Sequence, residues 1–199
     1  MKKIEYEEAI KILKNGGLIA FSTDTINGIG TSFDNLDGIK KIFELKKREK
    51  TKPFALFFSE NMNIERFFYT SKLFYKIREN FLPGALTIIL RAKKIIPEIL
   101  VKDRFSSLRI PKEKNILKLL EIYNKPLAVT SLNISGQEVI TEKDEFYRHF
   151  KDVYLFGELK KEKIPSTVIK IEKNKIEFLR EGKIKKEKIL KFINKESLC

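Results

Sequence analysis

An α/β fold built on a mixed sheet follows from three observations on this 199-residue chain. Short apolar runs of strand length recur along it, among them LIAF, FALFF, LTIIL and PLAVT. Between them lie segments whose apolar residues return every three or four positions, the period of a half-buried helix. Strand and helix taking turns supply parallel neighbours, while two alternating runs around Lys173-Asn174 read as a hairpin and supply antiparallel ones.

The elements follow in order. Glu7 to Asn15 predicts a helix on Ala9, Ile10, Ile12 and Leu13, closed by Gly16-Gly17 in the C-cap position. Leu18 to Phe21 is a short strand. Leu36 to Lys47 predicts a second helix, with Leu36, Ile39, Ile42 and Phe43 on one face and Asp34 or Asn35 as its cap. Phe54 to Phe58 reads as strand, Ser71 to Asn80 as helix, and Leu86 to Leu90 and Ser107 to Ile110 as strands. Ile116 to Tyr123 is helical, Leu127 to Thr130 strand, and Thr141 to Phe150 helical with Thr141 as cap and Asp144 three residues on. Val153 to Phe156 is strand. The hairpin of 166–171 and 175–179 and a basic amphipathic helix over 185–193 complete the chain. No repeat or linker interrupts it, so one domain over residues 1–199 is expected.

Composition narrows the class. With 42% hydrophobic residues and sixteen Phe, the chain can bury a sizeable core. No apolar run reaches the roughly 18–20 residues that span a bilayer, so no membrane partner is expected. The N-terminal segment mixes acids with its apolar residues and lacks a small-residue cleavage site, unlike a signal peptide. Cys199 is the one cysteine, so no disulfide forms within the chain and a cytoplasmic location is expected. The formal charge of +14 points to phosphate-bearing partners. Lysine accounts for 33 of the 41 cations and arginine for eight, beside abundant Ile, Phe and Asn, a profile that an AT-rich genome also produces. Position therefore says more than number.

One Cys and one His exclude metal sites built from those residues, and no metal-ligand set is expected. His149, beside Phe150 on a helix, reads as incidental, so Ser-His-Asp and Cys-His hydrolases are excluded with it. Neither a G-x-x-x-x-G-K-[ST] loop nor a full dinucleotide fingerprint is present. Polar clusters instead follow strands: STDTINGIG after LIAF, and SLNISG after PLAV with its closing Thr. Hydroxyls, amides and glycines at strand ends bond ligands, although ordinary turns use the same residues. The third feature is KKREKTKP, Lys46 to Pro53, with five cations in eight positions before FALFF. Lys46 and Lys47 suit the end of a helix dipole, and Arg48, Lys50 and Lys52 lie beyond it, where a bound polyphosphate would offset their repulsion.

These stretches carry a resemblance. STDTINGIG resembles PTDTVYGLG of the YrdC-like threonylcarbamoyl-AMP synthases, and IFELKKREKTKPF resembles their IFxxKxRxxxxPL. FLPGALTIIL is similar to WPGPLTLIL, SLRIP to VRVP, PLAVTSLNISG to PLAATSANLSG, and PSTVI with FLREG to STVI with LLRPG. The matches run in order from about Gly16 to Gly182. The resemblance implies a twisted open mixed sheet with flanking helices and a basic concave face. It also implies synthesis of threonylcarbamoyl-adenylate and pyrophosphate from L-threonine, bicarbonate and ATP, with Mg2+ on the ATP. That product feeds t6A modification at position 37 of tRNA through t6A-transfer proteins. By the same resemblance Lys46, Arg48, Ser131 and Asn133 form the catalytic signature. Thr23 and Arg109 line the threonine pocket, and Arg48, Lys52, Ser131, Ser166 and Arg180 hold the nucleotide. No enzyme nucleophile is needed, because the carbamate of threonine attacks the α-phosphorus itself.

Several positions depart from the family pattern. Ser22 stands for the usual proline, Asn27 for a tyrosine, Val139-Ile140 for Ser-Pro, Glu181 for a proline, and Phe57 where some members have histidine. The alternatives are a protein of this fold that binds double-stranded RNA or tRNA, or a divergent paralogue with other acyl-adenylate chemistry. A carbamoyl-transfer domain is disfavoured, since the zinc-finger and acylphosphatase modules of such proteins are not seen, nor is the extra C-terminal domain of longer relatives.

Overall fold

The computed structural model describes residues 4–47, 49, 54–173 and 175–196, with side chains as far as residue 193. The nine strands among these residues are β1 (Ile19–Phe21), β2 (Gly28–Ser32), β3 (Ala55–Phe57), β4 (Leu86–Arg91), β5 (Phe105–Arg109), β6 (Leu127–Ser131), β7 (Tyr154–Phe156), β8 (Thr167–Glu172) and β9 (Lys175–Arg180). They form one sheet in the order β7-β1-β2-β6-β3-β5-β4-β8-β9. The pairs β1–β7, β3–β5 and β4–β8 are parallel and the other five are antiparallel. The sheet is thus mixed, as expected. Its antiparallel pairs are not confined to the tail hairpin, however: β2, which periodicity did not reveal, runs antiparallel to both β1 and β6, and β3–β6 and β4–β5 are antiparallel too.

Among the described residues six α-helices, α1 (Tyr6–Lys14), α2 (Leu36–Leu45), α3 (Lys72–Phe81), α4 (Lys114–Tyr123), α5 (Lys143–His149) and α6 (Lys186–Glu196), flank the sheet. Side-chain caps fix three starts: Asn35 accepts from the Gly38 N–H at 3.1 Å, Ser71 from Phe74 at 3.3 Å, and Glu113 from Asn115 and Ile116 at 2.9 and 3.1 Å. Helix α1 ends at Asn15, and Gly16, at φ +77°, lets the Gly17 N–H reach back to the Ile12 carbonyl at 2.8 Å. The Thr141 cap expected for α5 is not formed. Ile140 is buried and bonds back to the Leu132 carbonyl, so the helix starts only after Glu142, which makes no side-chain cap bond.

Two layers cover the sheet. Helices α1 and α4 pack Ala9, Leu13, Ile116, Leu119 and Leu120 against Ile19, Phe21, Phe57, Leu127 and Val129. On the other face α2, α3, α5 and α6 contribute Ile39, Ile42, Phe74, Ile77, Phe146 and Ile189 to the larger core. Burying each such side chain contributes about 1.5–3 kcal/mol. The smaller layer stops near β3, and Thr87, Ile89, Ser107 and Val168 on the strands beyond it face a cavity instead of a helix. Among the described residues no helix is long and apolar enough to cross a membrane.

Candidate active site

The cavity, about 250 Å³ and open to solvent, lies where that helical layer ends. Its wall holds the hydroxyl residues Thr23, Thr87, Ser107, Ser131 and Ser166, the carboxamide residue Asn27, and two guanidinium groups, Arg109 and Arg180. No Asp, Glu, His or Cys is among the described residues that line it. Two guanidinium groups in the wall, one of them paired from behind by Asp24, favour anions in the cavity.

Arg109 closes β5 and is buried. Its Nε–H donates to the Gly84 carbonyl at 3.2 Å, one NH group to Thr25 Oγ1 at 2.7 Å, and the other to Asp24 Oδ1 at 2.8 Å, while its carbon lies 5.5 Å from the Phe57 ring centre. Burial lowers the pKa of the guanidinium, and the Asp24 carboxylate opposes only part of that shift. A guanidinium has five donors, and three are used here, leaving two for a ligand. Arg109 is therefore a buried ion pair and not a surface salt bridge. Thr23 shapes the same loop, donating to the Ile26 carbonyl at 2.8 Å and accepting from the Thr25 N–H at 2.9 Å.

On the opposite wall Ser131 Oγ donates to Asn133 Oδ1 at 2.6 Å. Lys46, the C-cap residue of α2, is buried, where the sequence suggests a dipole-complementing surface lysine. Its ammonium donates to the Ser131 carbonyl, to the Asn133 carbonyl at 2.5 Å and to Asn133 Oδ1 at 2.8 Å. Asn133 Nδ2 donates to the Gln137 carbonyl at 2.8 Å, and the Ser135 N–H to the Lys46 carbonyl at 2.8 Å. Lys46 and Asn133 thus stand behind Ser131 and do not line the cavity.

At the third side Ser166 Oγ shares a hydrogen bond with Thr87 Oγ1 at 2.8 Å. Arg180, the last residue of β9, donates from Nε and one NH group to the Ser166 carbonyl at 3.1 and 2.9 Å. Burial lowers its pKa too.

The cavity therefore gathers Thr23, Arg109, Ser131, Ser166 and Arg180 of the residues singled out from the sequence. Arg48 and Lys52 lie outside the described residues. Sequence reasoning missed Thr87, Ser107 and Asn27 as wall residues. A signal existed for the first: Leu86, Ile88 and Leu90 face the core, so the alternate position 87 carries a hydroxyl on the other face. Of the family departures, Asn27 and Phe57 line the cavity; His149, read as incidental, is exposed at the end of α5.

The Sua5/YciO/YrdC family model, described as "Telomere recombination", matches residues 11–182. The chain belongs to the Sua5/YciO/YrdC family. A protein of Methanocaldococcus jannaschii is 39% identical to it over 193 residues, covering 93% of this chain and 91% of its own. A Buchnera aphidicola protein named threonylcarbamoyl-AMP synthase is 30% identical, covering 86% of this chain and 95% of its own. A solved structure of Pyrococcus abyssi Sua5 complexed with L-threonine matches with a TM-score of 0.87 at 26% identity, over 96% of this chain. This chain spans 59% of that one's length. The Sua5/YciO/YrdC stretch contains every wall residue named above, and the expected family and mixed α/β fold are both borne out.

Proposed function

We propose that this chain is a threonylcarbamoyl-AMP synthase, forming threonylcarbamoyl-adenylate and pyrophosphate from L-threonine, bicarbonate and ATP. The observation that carries the reading is a wall with two arginines, five hydroxyl residues and no acid, His or Cys among its described residues. Such a wall binds and orients anions but offers no general base to activate a protein nucleophile, so the reacting nucleophile comes from the substrates. The threonine amine and bicarbonate form a carbamate and release water. A carbamate oxygen then attacks the α-phosphorus, the bond to the β-phosphate breaks, and pyrophosphate leaves with the charge. A Pyrococcus abyssi relative is titled as a threonine complex and a Buchnera aphidicola relative is named for this synthase, which supports the assignment.

In this reading the two unused donors of Arg109 take the threonine carboxylate, with Thr23 beside it. Ser131, Ser166 and Arg180 face the nucleotide, and Arg48 and Lys52 take its phosphates. Lys46 and Asn133 hold the Ser131 turn in place. Mg2+ would come with the triphosphate and would supply neutralisation of the charge that moves to pyrophosphate. The adenylate passes to t6A-transfer proteins for tRNA modification in the cytoplasm.

The test is incubation of the purified chain with MgATP, threonine and bicarbonate, followed by mass spectrometry of the adenylate. Pyrophosphate release is expected to need all three substrates and to fall more than about 100-fold in Arg109→Ala or Arg180→Ala. Serine in place of threonine should be about 10- to 100-fold poorer, since one methyl contributes about 1–3 kcal/mol. Pyrophosphate release independent of threonine would overturn the reading.

A further inference from the structure

Residues 157–166 join β7, at one edge of the sheet, to β8, one strand from the other edge. Along a flat sheet those steps cover about 34 Å at about 4.8 Å per strand. The eleven Cα–Cα steps from Phe156 to Thr167 reach at most about 36–40 Å, so the segment crosses as a largely extended strap.

Four ion pairs hold it at its sides: Lys160–Glu113 at 3.4 Å, Lys161–Glu142 at 3.8 Å, Lys163–Glu138 at 2.5 Å and Glu162–Lys183 at 2.6 Å. Each has a solvent-exposed lysine, and such pairs contribute about 0–1 kcal/mol. One anchor differs. Asn27, fully buried in the cavity wall, donates from Nδ2 to the Lys160 carbonyl at 2.8 Å and to the Ile140 carbonyl at 2.9 Å. Its Oδ1 accepts the Lys160 N–H at 3.0 Å. Asn27 and Lys160 thus bond in both directions, as residues on neighbouring strands do, and both amide protons of Asn27 are engaged. Six residues further the strap delivers Ser166, whose carbonyl holds Arg180.

We propose that Asn27 is a positioning residue of the site: its buried carboxamide latches the strap at Lys160, and the strap sets where Ser166 and Arg180 stand in the cavity. The substrate consequence rests on the reading of that cavity as the ATP site. The latch itself does not.

The test is hydrogen exchange and steady-state kinetics of the full chain carrying Asn27→Ala. Peptides within 157–166 are expected to exchange about tenfold faster, with those of α2 and α4 unchanged. The KM for ATP should rise about five- to tenfold while kcat stays within about twofold. Lys160→Pro removes the strap's backbone donor on an exposed segment, so it serves even if the Asn27 variant folds poorly. It should reproduce both changes and add little to Asn27→Ala. Unchanged exchange across 157–166 in both variants overturns the latch. Faster exchange with an unchanged KM overturns its link to Ser166 and Arg180, and a fall in kcat alone marks a role in stability only. A wild-type chain without activity would count against the adenylate reading, while the exchange result would still decide the latch.

Discussion

Two cations are buried beside the cavity, on opposite walls, and the fold holds them differently. Arg109 joins the 22–27 loop to the turn at Gly84 through a carboxylate, a hydroxyl and a carbonyl, and keeps two donors spare. Lys46 spends its three protons on oxygens of residues 131 and 133 and has none left for a ligand. Both belong to motif-like stretches, yet only Arg109 reaches the cavity. A planar fork can brace a structure and bind a ligand at once, whereas an ammonium of three donors does one or the other. Arg109 is thus suited to substrate contact and Lys46 to support.

Removing the counter-charge separates them most sharply. Asp24→Ala leaves Arg109 buried and unpaired, and urea unfolding should show a loss of about 3–5 kcal/mol together with activity. Should Asp24→Ala cost less than 1 kcal/mol, the Arg109 pair would be no part of the frame. Lys46→Met keeps the bulk and strands the carbonyls of Ser131 and Asn133, for an expected loss of about 2–3 kcal/mol in the same measurement. Its KM for ATP should rise through the displaced turn, and Arg in place of Lys46 should not restore it, because the fork does not fit three acceptors arranged about one nitrogen. Ser131→Ala removes one hydrogen bond from that turn. About 1 kcal/mol of stability should go, with a rise in KM for ATP that exceeds what Lys46→Met shows per unit of stability lost.

The smallest effect belongs to a pair away from both walls. Asp34 meets Lys125 at 2.9 Å and the Ser32 hydroxyl, with about half of each charged side chain exposed. Burial raises the Asp34 pKa, but the bonds from Ser32 and Lys125 outweigh it and the net shift is downward from 3.8. A carboxylate lowered on folding stabilises fully above its unfolded pKa and loses that contribution as pH falls through the lowered value. Solvent screens the pair, so Asp34→Asn should flatten the acid limb of stability against pH below about pH 4 by no more than about 0.5 kcal/mol. A change of several kcal/mol there would show that surface pairs matter here as much as the buried ones.

Most elements were legible because their signal is local. Strands β1, β3, β4, β6 and β7 and helices α1 to α4 fall within a few residues of the expected ranges, since the strands are short apolar runs and the helices carry a 3.6-residue apolar period. Strand β2 was not legible. GIGTS is buried at every position like β1, but Ile29 is its one large apolar residue and two of its residues are glycines, so it makes no apolar run. Those glycines read as loop chemistry, but a Cβ on Gly30 would stand 2.8 Å from the Ala128 carbonyl, so the close approach of β6 requires the residue. The site was legible in part. Ser131, Ser166, Arg109 and Arg180 stood in motifs, while Asn27 looked like one more turn residue because its partner, Lys160, lies 133 positions away.

By itself the sequence determined the α/β class, the order of the elements, the family and a set of polar residues at strand ends. Those properties depend on neighbours along the chain, where spacing and residue type act directly. Tertiary structure alone decided that β2 enters between β1 and β6, that Lys46 turns inward while Arg109 lines the wall, and that one amide holds the strap. Each depends on which atoms meet across the sheet, and a buried polar group takes whatever partner the packing brings within about 3 Å.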